Sequence, residues 1–231
     1  MGQRISPTLL KLAQAAKHKF TKFELNENEI NLEINGKLVS LQWPPGPIYP
    51  KDKIPELVKD FDVLAACPTQ KIDKMLESHW FPGCIKPNVG SRGRGFSIYK
   101  NPVEREAIVS KLTNLDMIEQ PLLSGSEYRL TLCGDGTYAM ALLVDSKNDK
   151  RLWRDATLTV ERPLLLESFN ILDKLKVPFI GFDFIFTNQS YYLLDINLSP
   201  SLLIHLATDI PRDLTLSMLY CWIDNLYEYD R

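Results

Sequence analysis

Apolar residues recur with helical spacing after Ser6-Pro7, and with alternate spacing between residues 30 and 43. A serine followed by proline is typical of a helix N-terminus, so the first pattern predicts a short helix. The second pattern is interrupted by Asn35-Gly36, a dipeptide that strongly favours a tight β-hairpin turn. Residues 44–47, Pro-Pro-Gly-Pro, then interrupt regular structure. We therefore expect an N-terminal helix and hairpin extension over residues 1–47 and a main domain over residues 48–231.

From residue 48 onwards, strand and helix patterns follow one another in mixed order. Apolar runs predict strands at 63–67, 83–86, 95–99, 127–133, 138–144, 179–186 and 191–196. Helical spacing predicts helices at 69–78, from about 102, at 163–176 and at 213–227. The last two strands are separated by Thr187-Asn188-Gln189-Ser190, which indicates an antiparallel hairpin. This order predicts an α+β fold.

The composition excludes several classes of protein. The chain has 231 residues, of which 45% are hydrophobic and 24% charged, as is typical of a globular protein. The net charge of −2 gives no overall attraction for nucleic acid or anionic membranes. The N-terminus has no signal-peptide pattern, and no apolar stretch approaches about 18 residues. We expect a cytoplasmic protein with no nucleic-acid or membrane partner; a homodimer is one assembly that the sequence allows.

The cysteines are widely separated and each lies in an apolar run, at Cys67, Cys84, Cys133 and Cys221. The sequence contains no Cys-x-x-Cys pair. This spacing favours buried, reduced thiols over disulfides or zinc ligands.

A glycine-rich segment follows the predicted strand that ends at Lys86. Three glycines, a serine and two arginines lie within residues 90–95. Glycines allow backbone N–H groups to converge on phosphate oxygens, and lysine and arginine side chains supply positive charge. The segment therefore indicates a phosphate-binding loop. The alternative is an ordinary glycine-rich hairpin whose arginines are solvated.

Polar residues interrupt the two apolar strands near the C-terminus. Asp183 lies in the first strand, and Asp195 and Asn197 lie two residues apart in the second, where they share one face. Grouped oxygen ligands of this kind suit magnesium, which completes its coordination with phosphate and water. The alternative is that these residues lie on the solvent face of the sheet.

Taken in order, three motifs resemble the ATP-grasp superfamily. They are Lys-Pro-x-x-Gly-Ser-x-Gly-x-Gly from residue 86, Glu-x-x-x-x-x-Gly-x-Glu-Tyr-Arg from residue 119, and Asp-x-Asn-x-Ser-Pro from residue 195. The chain is most similar to the ATP-grasp part of cyanophycin synthetase and related carboxylate-amine ligases. The resemblance implies ATP bound between two α+β subdomains, residues 48–118 and 119–231, with the acid substrate activated as an acyl phosphate and captured by an amine. The alternative is a non-catalytic or regulatory ATP-binding module of a larger assembly.

The resemblance also implies which residues bind ATP. Lys86, and Lys53 in its Asp-Lys context, would contact the phosphates. The adenine hinge would begin at Glu119 or Gln120, between which the spacing does not decide. Leu122 and Leu123 would contact the base, and Glu127 would bind the ribose hydroxyls. The flap over the triphosphate would consist of Gly90, Ser91, Arg92, Gly93, Arg94, Gly95 and Phe96.

The remaining implied residues serve the metal and the substrates. Magnesium would be held by Asp183, Asp195 and Asn197. Lys86 and Arg129 would stabilise the transferred phosphoryl group, while His205 and Arg212 would lie on the substrate side. For Arg212 we predict a grip on a carboxylate of an amino acid or peptide; the alternative is that Arg212 merely precedes an N-cap at Asp213. The expected partners are therefore small-molecule carboxylate and amine substrates, with ATP and Mg²⁺ as cofactors.

Overall fold

The protein is described by a computed structural model over residues 5–44, 49–72, 78, 80–90, 95–113, 116–145, 151–188 and 190–229. The helices are α1 (Pro7–Lys19), α2 (Ile54–Val58), α3 (Pro102–Val109), α4 (Arg162–Leu175), α5 (Leu202–Leu206) and α6 (Thr215–Tyr229). The strands are β1 (Phe23–Asn26), β2 (Glu29–Ile34), β3 (Lys37–Gln42), β4 (Leu64–Ala66), β5 (Gln70–Lys71), β6 (Gly83–Pro87), β7 (Ser97–Tyr99), β8 (Met117–Pro121), β9 (Ser126–Cys133), β10 (Tyr138–Asp145), β11 (Arg151–Asp155), β12 (Phe179–Thr187) and β13 (Ser190–Asn197).

The chain forms two compact units. Unit 1 comprises residues 1–47, 128–182 and 197–231, and unit 2 comprises residues 48–127 and 183–196. The sheets have the strand orders β1-β2-β3, β11-β10-β9-β12-β13-β4 and β5-β8-β6-β7. Helices and strands alternate in a mixed order, which confirms the predicted α+β class. Within the described residues, no helix is long and apolar enough to cross a membrane.

Unit 1 has one large hydrophobic core to which the N-terminal residues contribute. The buried face of α1 includes Leu9 and Leu12, which belong to the same cluster as Ile30 of β2 and Met218 of α6. Trp43, Phe179 and Trp222 pack with ring centroids 5.4 to 6.1 Å apart. The residues predicted as an N-terminal extension therefore share their core with the rest of unit 1.

The hairpin predicted around Asn35-Gly36 is present as β2 and β3. Both turn residues have positive φ values, 52° and 77°, which is the conformation that this dipeptide tolerates best. The strands pair in antiparallel register, with Glu33 opposite Leu38.

Unit 2 contains the antiparallel sheet that carries the glycine-rich segment. Strand β6 lies between β7 and β8, and β5 adds to the free side of β8. The predicted helix at 69–78 is wrong in its first turn, because Gln70 and Lys71 form β5, opposite Glu119 and Ile118 of β8. Pairing with a distant strand has overridden the local spacing; residues 73–77 lie outside the described ranges. The sequence also did not predict β8 and β11.

Candidate functional site

Lys86 and Gln120 share one face of the sheet in unit 2. Cys84 of β6 is directly opposite Gln120 of β8, while Ile85 is opposite Glu119. Directly opposed residues lie on the same face, and residues two apart on a strand do too. Gln120 is therefore on the face of Lys86, whereas Glu119 is on the other face. The two residues between which the spacing left the start of the adenine hinge open therefore lie on opposite faces of the sheet.

Lys86 is partly buried and hydrogen-bonds to a backbone carbonyl. Its Nζ donates to the Leu194 carbonyl at 3.3 Å. Burial lowers the pKa of Lys86, an effect that the charge of Lys51 reinforces and that of Asp195 opposes. A desolvated ammonium whose acceptor among the described residues is a neutral carbonyl at 3.3 Å is electrostatically suited to an incoming anion.

The glycine-rich segment connects β6 to β7, which pair in antiparallel register. Gly95 has a φ of +74°, and a Cβ built on it would lie 3.2 Å from Cγ of Pro87. Gly90 makes the same close approach to Cβ of Pro87, and Phe96 is exposed. Both glycines therefore lie too close to the proline ring for a larger residue to be easily accommodated. Of the predicted flap, Ser91, Arg92, Gly93 and Arg94 lie outside the described residues.

Lys51 is a functional candidate that the sequence analysis missed. Its side chain is buried, and Nζ lies 3.2 Å from Oδ1 of Asp195. Lys53, the lysine chosen from the sequence, is exposed. Both lysines belong to one 3-10 turn, residues Lys51–Lys53, in which spacing gives no indication of which side chain turns inward. Pro50, directly before the turn, indicates where the turn begins but not which lysine is buried.

The predicted magnesium ligands lie on β12 and β13. Asp195 is about a quarter exposed, and its Oδ1 also accepts the Ile196 amide at 3.0 Å. Asn197 is exposed, and its Oδ1 accepts the Ser199 amide at 2.9 Å. Asp183 is partly buried. Within the described residues, no three His, Cys, Asp or Glu side chains form a metal-binding group. Two carboxylates and an amide oxygen are nonetheless hard ligands that suit Mg²⁺, which takes its remaining oxygens from phosphate and water.

Glu119 of β8 belongs to a buried hydrogen-bond network. Its carboxylate accepts Nε and Nη2 of Arg105 at 2.8 and 3.1 Å, Nε2 of Gln70 at 2.8 Å, and the Tyr99 hydroxyl. Burial alone would raise the pKa of Glu119, but these hydrogen bonds, that of Arg105 first, hold it below the usual value. The network therefore fixes β8 in place with an ionised carboxylate.

The segment after Glu119, in which the adenine hinge was predicted, has both buried and exposed residues. Gln120 is buried and donates to Oγ1 of Thr69 at 2.7 Å. The amide of Leu122 donates to the Pro82 carbonyl at 3.0 Å, while its side chain is exposed. Leu123 and Glu127 are partly buried. These residues form a continuous stretch of partly accessible chain at the end of β8.

In unit 1, Arg129 lies beside an aromatic ring. Its guanidinium carbon is 5.1 Å from the ring centroid of Trp153. Arg129 is on β9, opposite Ala141 of β10, and Ala141 is opposite Asp155 of β11. A guanidinium held beside an aromatic ring keeps its planar fork oriented for a carboxylate or phosphate.

His205 and Arg212, the predicted substrate-side residues, both interact within unit 1. His205 is 2% exposed, with Nε2 2.7 Å from Oγ1 of Thr131. Burial lowers the pKa of His205 to about 4, so the ring is neutral at pH 7. Arg212 donates from Nη2 to Oδ2 of Asp155 at 3.0 Å. Both residues therefore have structural partners. Neither sequence-based interpretation of Arg212 included its ion pair with Asp155.

No protein-family model and no curated protein sequence matches the chain, but solved structures do. D-alanine–D-alanine ligase from Bacillus anthracis, complexed with ATP, matches 80% of this chain and 68% of its own, at 14% identity and a TM-score of 0.60. The ATP-grasp ligase PsnB, complexed with a minimal precursor, Mg and ADP, matches 77% of this chain and 58% of its own, at 14% identity and a TM-score of 0.60.

A bifunctional glutathione synthetase from Pasteurella multocida matches 96% of this chain but 44% of its own length, at 13% identity and a TM-score of 0.59. The chain therefore spans little more than two thirds of the Bacillus anthracis enzyme and less than half of the Pasteurella one. At these identities the likeness shows the fold, which is that of the ATP-grasp ligases. The α+β fold predicted from the sequence is confirmed, and so, at the level of the fold, is the resemblance to ATP-grasp ligases.

Proposed function

We propose that the protein is an ATP-dependent ligase that joins a carboxylate to an amine through an acyl phosphate. The observation that carries the proposal is a charge cluster in unit 2. It contains two ammonium groups, Lys51 and Lys86, and one nearby carboxylate, Asp195. The cluster has one excess positive charge next to Gly90, where the glycine-rich segment begins. Excess positive charge in a partly desolvated site favours a phosphate ligand.

The other ATP contacts that we propose lie along β8 and its continuation. Gln120 shares the face of Lys86, and the chain then passes through Leu122 and Leu123 to Glu127. Apolar side chains suit an adenine base, and a carboxylate suits vicinal ribose hydroxyls. We therefore assign the base to the leucines and the ribose to Glu127.

Asp183, Asp195 and Asn197 are the residues that we propose hold magnesium, which when bound neutralises charge on the phosphates. In the proposed reaction, a substrate carboxylate oxygen attacks the γ-phosphorus and ADP leaves, which gives the acyl phosphate. The amine then attacks the acyl carbon, and phosphate leaves. Lys86 would stabilise negative charge on the transferred phosphoryl group, and the fork of Arg129 would orient it.

The substrate class that we propose is an amino acid or peptide. Two of the solved structures of similar fold are named for amino acids, as a D-alanine–D-alanine ligase and as an L-amino acid ligase. The low identities restrict this support to analogy of fold.

A second candidate function is an ATP-binding module without ligase activity. The observation that favours it is that Arg212 is already paired with Asp155 and that His205 is buried against Thr131. If neither group is free, the side of the site that would grip the acid substrate depends on other residues or on another chain.

Two measurements test these proposals. Calorimetric titration with Mg·ATP should show binding to the wild type and a loss of at least tenfold in Lys86→Met, because charged hydrogen bonds contribute about 1.5–3 kcal/mol. Lys100→Met is the matched control, since Lys100 is exposed in the same unit. ADP release with pooled amino acids and acidic peptides then separates the candidates. Binding with no ADP release supports the module, and no binding at all refutes both.

A further inference from the structure

In the described part of unit 2, three oxygen atoms lie within 3.5 Å of Nζ of Lys51. Nζ lies 3.2 Å from Oδ1 of Asp195, 3.3 Å from the Gly90 carbonyl and 3.5 Å from the Asn88 carbonyl. An ammonium has three donors, so this lysine has none to spare. A ligand that needs Lys51 must therefore displace one of these acceptors.

The backbone around Lys51 is fixed independently of Asp195. The amide of Lys51 donates to the Asn88 carbonyl at 3.2 Å, and the amide of Asp52 donates to Oδ1 of Asn88 at 3.0 Å. Asn88 is itself bonded to Asp116, through Nδ2 at 3.1 Å and through its amide at 3.0 Å. Release of Asp195 would thus leave the Lys51 side chain in place, with its two carbonyl acceptors.

The ion pair sets the electrostatic conditions for a cation at Asp195. A divalent cation bound to this carboxylate would repel the ammonium 3.2 Å from the same oxygen. The cation and Lys51 therefore compete for Asp195. If the cation wins, one N–H of Lys51 becomes free beside Gly90, and a phosphate oxygen is its strongest available class of acceptor.

We propose that Lys51 is a positioning residue that couples metal binding at Asp195 to phosphate binding beside Gly90. A cation alone breaks the ion pair and leaves the Lys51 ammonium without its anion, and a phosphate alone competes with Asp195 for the same ammonium. Both ligands together satisfy both charges, so each strengthens the binding of the other by the same factor. The inference rests on the proposed function for the identity of the ligands, Mg²⁺ and a nucleotide phosphate.

The direct test uses Mn²⁺ alone, followed by electron paramagnetic resonance, with no nucleotide present. Lys51→Met frees Asp195, so the variant should bind Mn²⁺ about tenfold more tightly than the wild type. When Asp195→Asn is added to Lys51→Met, this gain in Mn²⁺ affinity should be lost. Lys59→Met removes a positive charge from an exposed position in the same unit and should leave Mn²⁺ affinity unchanged. A role of Lys51 in folding alone would not raise metal affinity.

The coupling itself is measured with a fluorescent ADP derivative, with and without Mg²⁺. The enhancement of ADP affinity by Mg²⁺ should fall about tenfold in Lys51→Met relative to the wild type. If Lys51→Met does not fold, ¹⁵N NMR of the lysine ammonium groups in the wild type replaces it. Saturating Mg²⁺ should then shift the Lys51 resonance in the wild type but not in Asp195→Asn.

Three results would overturn the inference. They are Mn²⁺ affinity in folded Lys51→Met no higher than in the wild type, an equal gain in Lys59→Met, or a Lys51 resonance that does not respond to Mg²⁺. These outcomes differ from failure of the proposed function, which is absence of ADP and ATP binding to the wild type. The Mn²⁺ test needs no nucleotide and is decisive in either case.

Discussion

Replacement of Glu119 by glutamine should destabilise the protein severely. The Glu119 side chain is fully buried and that of Arg105 is 7% exposed, so neither charge is screened by solvent. The glutamine is neutral, and the Arg105 guanidinium would remain buried without an anion. Removal of one partner of a buried ion pair costs about 3–5 kcal/mol. Since the total stability of a domain is about 5–15 kcal/mol, this variant should lose a large part of it.

The assay is hydrogen exchange read by mass spectrometry on the peptide that contains β8, because the two units need not unfold together. Glu119→Gln should lower the free energy of opening of this peptide by about 3–5 kcal/mol. The matched control is Glu56→Gln, which breaks the solvent-screened pair with Lys59 and should leave the free energy of opening of the β8 peptide unchanged.

The double variant Arg105→Met, Glu119→Met tests the cause of the loss. If the unpaired buried charge is responsible, removal of both charges should recover more than half of the lost stability. A cost below about 1 kcal/mol for Glu119→Gln would refute the argument. So would a double variant less stable than the single one, because the loss would then come from packing or from the Tyr99 and Gln70 hydrogen bonds.

Three further predictions concern the remaining site residues. Lys86→Met should bind ATP more weakly in calorimetry. Its unfolding free energy should stay equal or rise, because the variant removes a desolvated ammonium. A large loss of stability would contradict this. The pKa of His205 falls from 6.5 to about 4 on folding, so the neutral ring is favoured in the folded state. The unfolding free energy should therefore be highest above pH 6.5 and should fall by about 3 kcal/mol as the pH drops towards 4. In His205→Gln the urea midpoint should vary less with pH over this range. Arg212→Lys should lower the unfolding free energy by about 1 kcal/mol, because lysine makes a weaker bond to Asp155. The KM for the acid substrate should not change. A raised KM with unaltered stability would instead support carboxylate binding by Arg212.

Features set by neighbouring residues were predictable from the sequence. The Asn35-Gly36 turn has the positive φ values that its residue types favour. Short runs of apolar residues predict the strands at 83–87 and 179–187, and helical spacing of apolar residues predicts the helix at 162–175. In each of these cases the local preference and the tertiary environment agree.

Features set by distant residues were not predictable. Gln70 and Lys71 become a strand because β8 offers them hydrogen-bonding partners, which a local window does not contain. The side chain of Lys51 turns inward, and that of Lys53 outward, because Asn88 fixes the turn and Asp195 offers a charge. The partner of Arg212, Asp155, likewise lies 57 residues away in sequence.

The hydrogen bonds of the buried polar groups in unit 2 distinguish structural from functional ones. Glu119 has donors for both carboxylate oxygens, so its charge is fully compensated within the unit and its loss should affect stability. Among the residues that the structure describes, Lys86 donates to one neutral carbonyl at 3.3 Å, so its charge is poorly compensated there and its loss should affect ligand affinity instead. Lys51 lies between these cases, because its three acceptors include a carboxylate that a metal ion can take over. Stability and affinity should therefore change separately at Glu119 and Lys86, and at Lys51 the affinities for metal and for nucleotide should change in opposite directions.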